Sequence, residues 1–265
     1  MRNNLQKIKV LLLILMSVNA YLFSESHILF CWTKPDHPIG THIYPLFAER
    51  MSEKFNELKG VRASSVSGFP SKKQWEESDL VVFYLTLNSL SKPELNIMKD
   101  HLKAGKGIVF LHQALVNRAN SKELSQISGL AFSWNKADRS SWGKFTADIH
   151  LDESHPIFKG MSKVLKIDDE LYWDLIKGSL GELNVIATTK PSTLRKEENT
   201  QTHPVFWTVD HENNGKVFSS VIGHFARLYD SKEFMKIFLR GMAWSMNKSV
   251  DEFEPLLNNL SFKRK

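Results

Sequence analysis

A single cysteine in 265 residues, Cys31, rules out an internal disulfide. It lies inside the apolar stretch HILFCWT, where a thiol serves as a small core hydrophobe rather than a nucleophile. The chain has no G-x-S-x-G, H-E-x-x-H, P-loop or G-x-G-x-x-G sequence. The signatures of nucleophile-elbow hydrolases, zincins, P-loop NTPases and dinucleotide-binding folds are therefore missing, and no nucleotide cofactor is expected. Long apolar runs are missing as well. The longest, VLLLILMSV at 10–18, falls well short of the roughly 20 residues a membrane-spanning helix needs.

A one-signed charge is also absent from the body of the chain. The formal charge is +6, from 35 basic and 29 acidic residues. Arg2, Lys7 and Lys9 contribute three of the excess, and Lys263, Arg264 and Lys265 the other three. The remainder is neutral, without the basic face a nucleic-acid binder carries, so no nucleic-acid partner is expected.

What is present begins with a basic segment, the short apolar run and the small residues Val18 and Ala20, the pattern of a cleaved secretory leader. We assign 1–24 to a signal peptide, 25–250 to the folded domain and 251–265 to a basic C-terminal tail. The mature protein is expected in the periplasm or outside the cell, with no membrane insertion after cleavage.

From residue 27 onward, near-continuous apolar runs alternate with helical periodicities. HILFCW (27–32), DLVVFYL (79–85) and GIVFLH (107–112) read as strands buried on both faces. Ile43, Phe47, Met51, Phe55 and Leu58 recur at helical spacing, as do Leu95, Met98 and Leu102 between Pro93 and Gly105. This order predicts an α/β domain in three layers, a doubly wound, mostly parallel sheet of flavodoxin-like type. Further strands are expected at 144–151, 183–189, 204–209 and 215–222, the last two joined by a turn at Asn214-Gly215. A final helix is expected to begin at Asp230 or Ser231, with Glu233 as a capping partner for Asp230. Exposed apolar helix faces leave a homo-oligomer open.

Ligands of such sheets bind outside the carboxyl ends of the strands. His37 and His42 follow the first strand, His112 ends GIVFLH and His224 ends VFSSVIGH. Asp168, Asp169 and Glu170, in IDDELYW, are expected just after a strand ending near 167. One such histidine is more often a cap or a hydrogen-bonding group than a catalyst. Four on one rim, beside a carboxylate cluster and without a nucleophile, point to general acid–base work or to metal binding.

The order of these segments resembles the ThuA-like (trehalose utilisation) family, a branch of the class I glutamine amidotransferase-like fold. The residues that carry the resemblance are DHPIGTHIY, GKGIVFLHQAL, HPIFKGM followed by IDDELYW, PVFWTVDHENNGKVFSSVIGHF and LRGMAWSM, spanning roughly 27–247. The loop 129–139 departs from the family pattern, with Ser133 and Trp134 where many relatives carry a histidine. The resemblance implies a small-molecule sugar substrate, with a hydrolase, lyase or isomerase acting on 3-keto-glucosides such as 3-keto-trehalose; a sugar-binding or regulatory module is the alternative. On that reading His112, Glu170 and Asp169 are the catalytic candidates, with Asp169 and Glu170 both pointing into the site. Tyr172, Trp207 and Trp142 are candidate walls for a sugar ring, Trp207 having a place in the core as its alternative. His37, His42 and His224 are candidate ligands of a divalent metal ion.

Overall fold

The computed structural model describes residues 25–190 and 201–262. The expected leader 1–24 and the basic residues 263–265 lie outside them. Five strands form the parallel half of one nine-stranded sheet: β1 (Ser26–Trp32), β2 (Val61–Ser67), β3 (Leu80–Phe83), β4 (Gly107–Leu111) and β11 (Lys216–Ser220). Their order is β2-β1-β3-β4-β11, the doubly wound arrangement whose winding reverses between β1 and β3. β3 and β4 are buried at every residue, which is why they read as unbroken apolar runs. β2, VRASSVS, is the edge strand and alternates buried with exposed, so no such run announced it.

The sheet continues through an antiparallel half: β10 (His203–Asp210), β9 (Glu182–Thr189), β6 (Ser141–Leu151) and β7 (Val164–Trp173). The expected strands and the β10–β11 hairpin are present. IDDELYW is different: its acids do not follow a strand but lie within β7. A short ladder of β5 (Leu130–Ala131) with β8 (Ile176–Lys177) stands apart.

Helices cover both faces. α1 (Tyr44–Phe55) and α5 (Lys232–Ser245) share one, joined by the Phe47–Phe238 ring contact at 5.5 Å. α2 (Lys72–Glu77), α3 (Lys92–Lys103) and α4 (Ser121–Ser128) lie on the other. α2 was not foreseen; Ser71 and Gln74 close it with a reciprocal capping box. α5 is capped by Ser231, which accepts from Phe234 N and donates to Glu233, so Asp230 is not its cap. α5 presses close to β11 at Gly241, where a Cβ would fall 2.4 Å from the Phe218 ring.

The expected C-terminal tail is folded through Phe262. Phe253 packs edge-on against Phe55 and Phe262 stacks on Phe47. Arg240 ties the segment down through Asp251 and Glu254, each at 2.7 Å. The apolar spacing of Phe253, Leu256 and Phe262, all buried, outweighs the charges around them. No helix among the described residues is long and apolar enough to cross a membrane.

Candidate functional site

Three histidines meet at the carboxyl rim of the parallel half. His42 ends the loop after β1, His112 stands in the turn directly after β4, and His224 follows β11. His42 and His112 both adopt left-handed backbone, with φ of 45° and 47°. L-residues hold such conformations only where their surroundings impose them, and the cost recurs at functional sites. Here the loop carrying His42 is zipped to the one carrying His224. His42 N donates to His224 O at 2.9 Å, and Ala226 N to Gly40 O at 2.8 Å. Gly223 (φ 138°) lets the loop bearing His224 pass close to Tyr229 and His112: a Cβ there would fall 2.8 Å from the Tyr229 hydroxyl and 3.2 Å from the His112 Cβ.

The ring nitrogens facing inward are His42 Nε2, His112 Nε2 and His224 Nδ1, all within 4.8 Å of one another. His224 Nδ1 is 3.0 Å from His42 Nε2 and 3.3 Å from His112 Nε2. The outward nitrogens of the other two rings are committed elsewhere. His112 Nδ1 donates to the Val221 carbonyl at 2.6 Å, and His42 Nδ1 donates to Asp36 Oδ1 at 3.0 Å, with the Tyr44 hydroxyl also 2.7 Å away. These partners assign the tautomers and leave bare lone pairs on both inward Nε2 atoms. Burial pushes all three imidazoles below their ordinary range, His224 to about 3. They are neutral at pH 7, the form that binds metals. Burial works to raise the Asp36 carboxyl, but hydrogen bonds from His42, Thr86 and His37 hold it well below the usual range.

Glu170 comes to the histidines from the antiparallel half. Its Oε1 lies 3.7 Å from His112 Nε2 and 3.8 Å from His224 Nδ1. Burial pushes its carboxyl up to about 7, against the nearby charges of His37 and Lys144. Tyr172, two residues on and so on the same face of β7, stacks on His112 with 4.6 Å between ring centres. Its hydroxyl is 2.9 Å from both His112 Nε2 and Gln113 Oε1. Across the ladder Lys144 pairs with Glu170 and Trp142 with Tyr172. Trp142 remains 44% exposed, free to offer a ring face.

Three expectations need correction. Asp169 does not face the cleft beside Glu170, because neighbours in a strand point to opposite faces. Its carboxylate instead accepts from the backbone N–H groups of Glu170, Gly223, His224 and Phe225, at 2.7–3.4 Å, and so holds the loop that presents His224. Trp207 is fully buried, its indole N–H donating to the Ser128 carbonyl at 2.6 Å, and takes no part in the site. His37 is not the third inward nitrogen; His112 is. His37 stands at the mouth, 39% exposed, paired with Asp36 at 2.8 Å and 4.0 Å from the His42 ring. With Asp36 and His42 it makes a second convergent set.

Asp36, Tyr44, Thr86 and Gln113 were not foreseen. Asp36 had a signal, a carboxylate directly before His37 and six residues before His42, the pairing that orients an imidazole ligand. A separate hollow of about 340 Å³, lined in part by Leu102, Ile127, Leu180 and His211, lies at the other end of the strands and touches none of these groups.

The family model ThuA, described as trehalose utilisation, matches residues 35–245. The chain belongs to the ThuA family. Among solved structures it is similar to a ThuA-like protein from Parabacteroides merdae ATCC 43184, at 19% identity and a TM-score of 0.61, covering 84% of this chain and 91% of that one. A ThuA-like protein from Bacteroides uniformis ATCC 8492 is similar at 14% identity and a TM-score of 0.60, covering 83% and 91%. At these identities the likeness concerns the fold, and it supports the α/β architecture described above. A comparison with curated proteins gives no match.

Proposed function

We propose that this ThuA-family chain processes 3-keto-glucosides, as a lyase, hydrolase or isomerase, by general acid–base chemistry. Glu170 carries the reading: a carboxyl near 7, within 4 Å of two neutral histidines, at the rim where doubly wound sheets bind ligands. A group that titrates near neutrality both takes and returns a proton. Cys31 offers no competing chemistry, since it is buried in β1 and burial pushes its thiol up.

A ketone at C3 of a glucoside acidifies the hydrogen on C2. In the proposed step the Glu170 carboxylate takes that proton, and the C–H electron pair forms a C2–C3 double bond as the carbonyl becomes an enolate. When the carbonyl re-forms, the pair shifts to C1–C2 and the C1–O bond breaks. The aglycone leaves with the bonding pair and takes up the proton that Glu170 removed from C2, which restores the carboxylate. Water adding to the resulting enone completes a hydrolysis, whereas return of the proton to the opposite face of C2 gives an isomer. Burial keeps the Tyr172 hydroxyl protonated, and it donates to Gln113 Oε1 while its ring stacks on His112.

A divalent cation fits the histidine centre. His42, His112 and His224 would hold it, because their inward nitrogens converge within 4.8 Å while Asp36 and the Val221 carbonyl fix two of the rings from behind. Bound there, it would supply positive charge beside the developing enolate oxygen. The leader at 1–24 supports export as part of the same proposal.

The test is product formation from a 3-keto-glucoside, followed by NMR on protein lacking residues 1–24, before and after chelation. Turnover that chelation abolishes is expected; no turnover even with added divalent metals would contradict the reading.

A further inference from the structure

The loop after β5 carries a second cluster that the acid–base chemistry does not use. Two guanidinium groups approach the Trp134 ring, Arg118 Cζ at 5.2 Å and Arg139 Cζ at 5.3 Å from its centre. Arg139 also lies 6.0 Å from the Trp142 ring. Ring contacts are their only side-chain interactions among the described residues; neither arginine has an ion pair or a side-chain hydrogen bond. Other arginines here are neutralised: Arg227 by Asp168, and Arg240 by Asp251 and Glu254.

The neighbouring donors are unmatched too. Trp134 Nε1 is shielded from solvent and has no acceptor. Asn120, at the start of α4, leaves that helix without a side-chain cap, because its carbonyl oxygen accepts from Leu90 N instead. A cavity of about 420 Å³ opens among Arg118, Ser121, Lys122, Trp134 and Asn135, with Glu123 as its one carboxylate. Lys122 reaches only Asp138, at 3.4 Å. Shielded donors are ordinarily paired, and an unpaired one on Trp134, beside the Arg118 guanidinium that no carboxylate neutralises, marks a place for acceptor oxygens of negative charge.

The cluster continues the wall of the cleft. Trp134 is 5.0 Å from Trp142, which pairs across the ladder with Tyr172, and Tyr172 stacks on His112. We infer that this pocket recognises an oxyanion carried by the second ring of the substrate, a carboxylated or sulfated sugar whose ring lies on Trp142. Arginine suits such a group, since its planar fork meets two oxygens at once, and the indole face suits the C–H face of a sugar. The inference rests on the proposed function for the word substrate, but the pocket itself can be tested without turnover.

Chelated full-length protein is titrated with methyl glucuronide, a sulfated methyl glucoside, methyl glucoside and inorganic sulfate, following tryptophan fluorescence. At least one anionic sugar is expected to bind roughly tenfold or more tighter than the neutral one, as a charged hydrogen bond implies. Arg118→Gln, in the cavity lining, is expected to remove that preference and leave binding of methyl glucoside unchanged. Which anionic sugar binds tighter distinguishes carboxylate from sulfate. Equal binding of charged and neutral sugars, or a preference that survives Arg118→Gln, would overturn the inference. Inorganic sulfate binding as tightly as the sugars would overturn the assignment to a sugar. Because chelated protein is compared throughout, failure of the acid–base reading leaves this result standing.

Discussion

In the parallel half of the sheet, strands β1, β4 and β11 hand His42, His112 and His224 to the rim through turns that follow them, two in left-handed backbone. In the antiparallel half, Glu170, Tyr172 and Trp142 stand on the faces of β7 and β6, within the strands themselves. A turn can place a side chain almost anywhere, but its backbone must then be held by other contacts. A strand face needs no such support, since its period of two already decides which residues enter the cleft. Asp169 and Glu170 show the consequence. The odd-numbered acid braces the turn that bears His224, and the even-numbered one meets the histidines.

Breaking the comparison where its effect is largest means removing the chemistry while keeping the scaffold. Glu170→Gln and His112→Ala are expected to lower kcat by about 10²–10⁴, the usual contribution of a general acid–base group. Glu170→Gln is expected to flatten the limb of the pH–rate profile near 7 as well. Steady-state rates on a 3-keto-glucoside check both. The two tryptophans assigned together from sequence part company next. Trp207→Ala is expected to destabilise the fold by about 3–5 kcal/mol through lost packing. Trp142→Ala should leave the midpoint of denaturant unfolding nearly unchanged while raising KM. Asp169→Asn comes third: an amide cannot accept from all four backbone donors, and an unmatched buried donor costs about 1–3 kcal/mol. It should also loosen His224 and weaken metal binding, which Asp168→Asn should not.

The smallest effect is one of pH, read on metal-free protein. His42, His112 and His224 have folded pKa values below their ordinary 6.5, so the stability they contribute is present above 6.5 and is lost as the pH falls, for His224 down to about 3. Glu170 runs the other way. Its folded value near 7 lies above the ordinary 4.5, so its contribution is complete below 4.5 and is lost as the pH rises toward 7. Replacing it by glutamine should therefore steepen the rise of stability between about pH 4.5 and 7 by up to one proton's worth. A slope unchanged in Glu170→Gln would mean that the carboxylate is not held protonated in the folded state.

Much of the parallel half was legible because burial on both faces leaves one strong mark, the unbroken apolar run of β3 or β4. The carboxyl-end rule then found His42, His112 and His224 without any contact being known. What escaped the sequence was whatever depends on phase or partner. Three acids in a row were read as following a strand, with Asp169 and Glu170 both turned into the site, although alternation along β7 separates buried Asp169 from exposed Asp168 and half-buried Glu170. Trp207 looked like a wall because an indole next to a polar threonine has no visible direction; its partner, the Ser128 carbonyl, is 79 residues away. β2 was missed because an edge strand needs only one apolar face. The C-terminal residues were read as a tail from the charge of Lys263–Lys265, while Phe253, Leu256 and Phe262 were already spaced to cover α1 and α5.

The central claim is that His112, and not His37, completes the centre with His42 and His224, and metal stoichiometry tests it most directly. Zinc or manganese content is measured after dialysis for the wild type and for His37→Ala, His42→Ala, His112→Ala and His224→Ala. The account predicts one ion per chain in the wild type and in His37→Ala, and loss of the ion in each of the other three. Binding that survives His112→Ala but vanishes in His37→Ala, or a wild type that holds no ion, would contradict it.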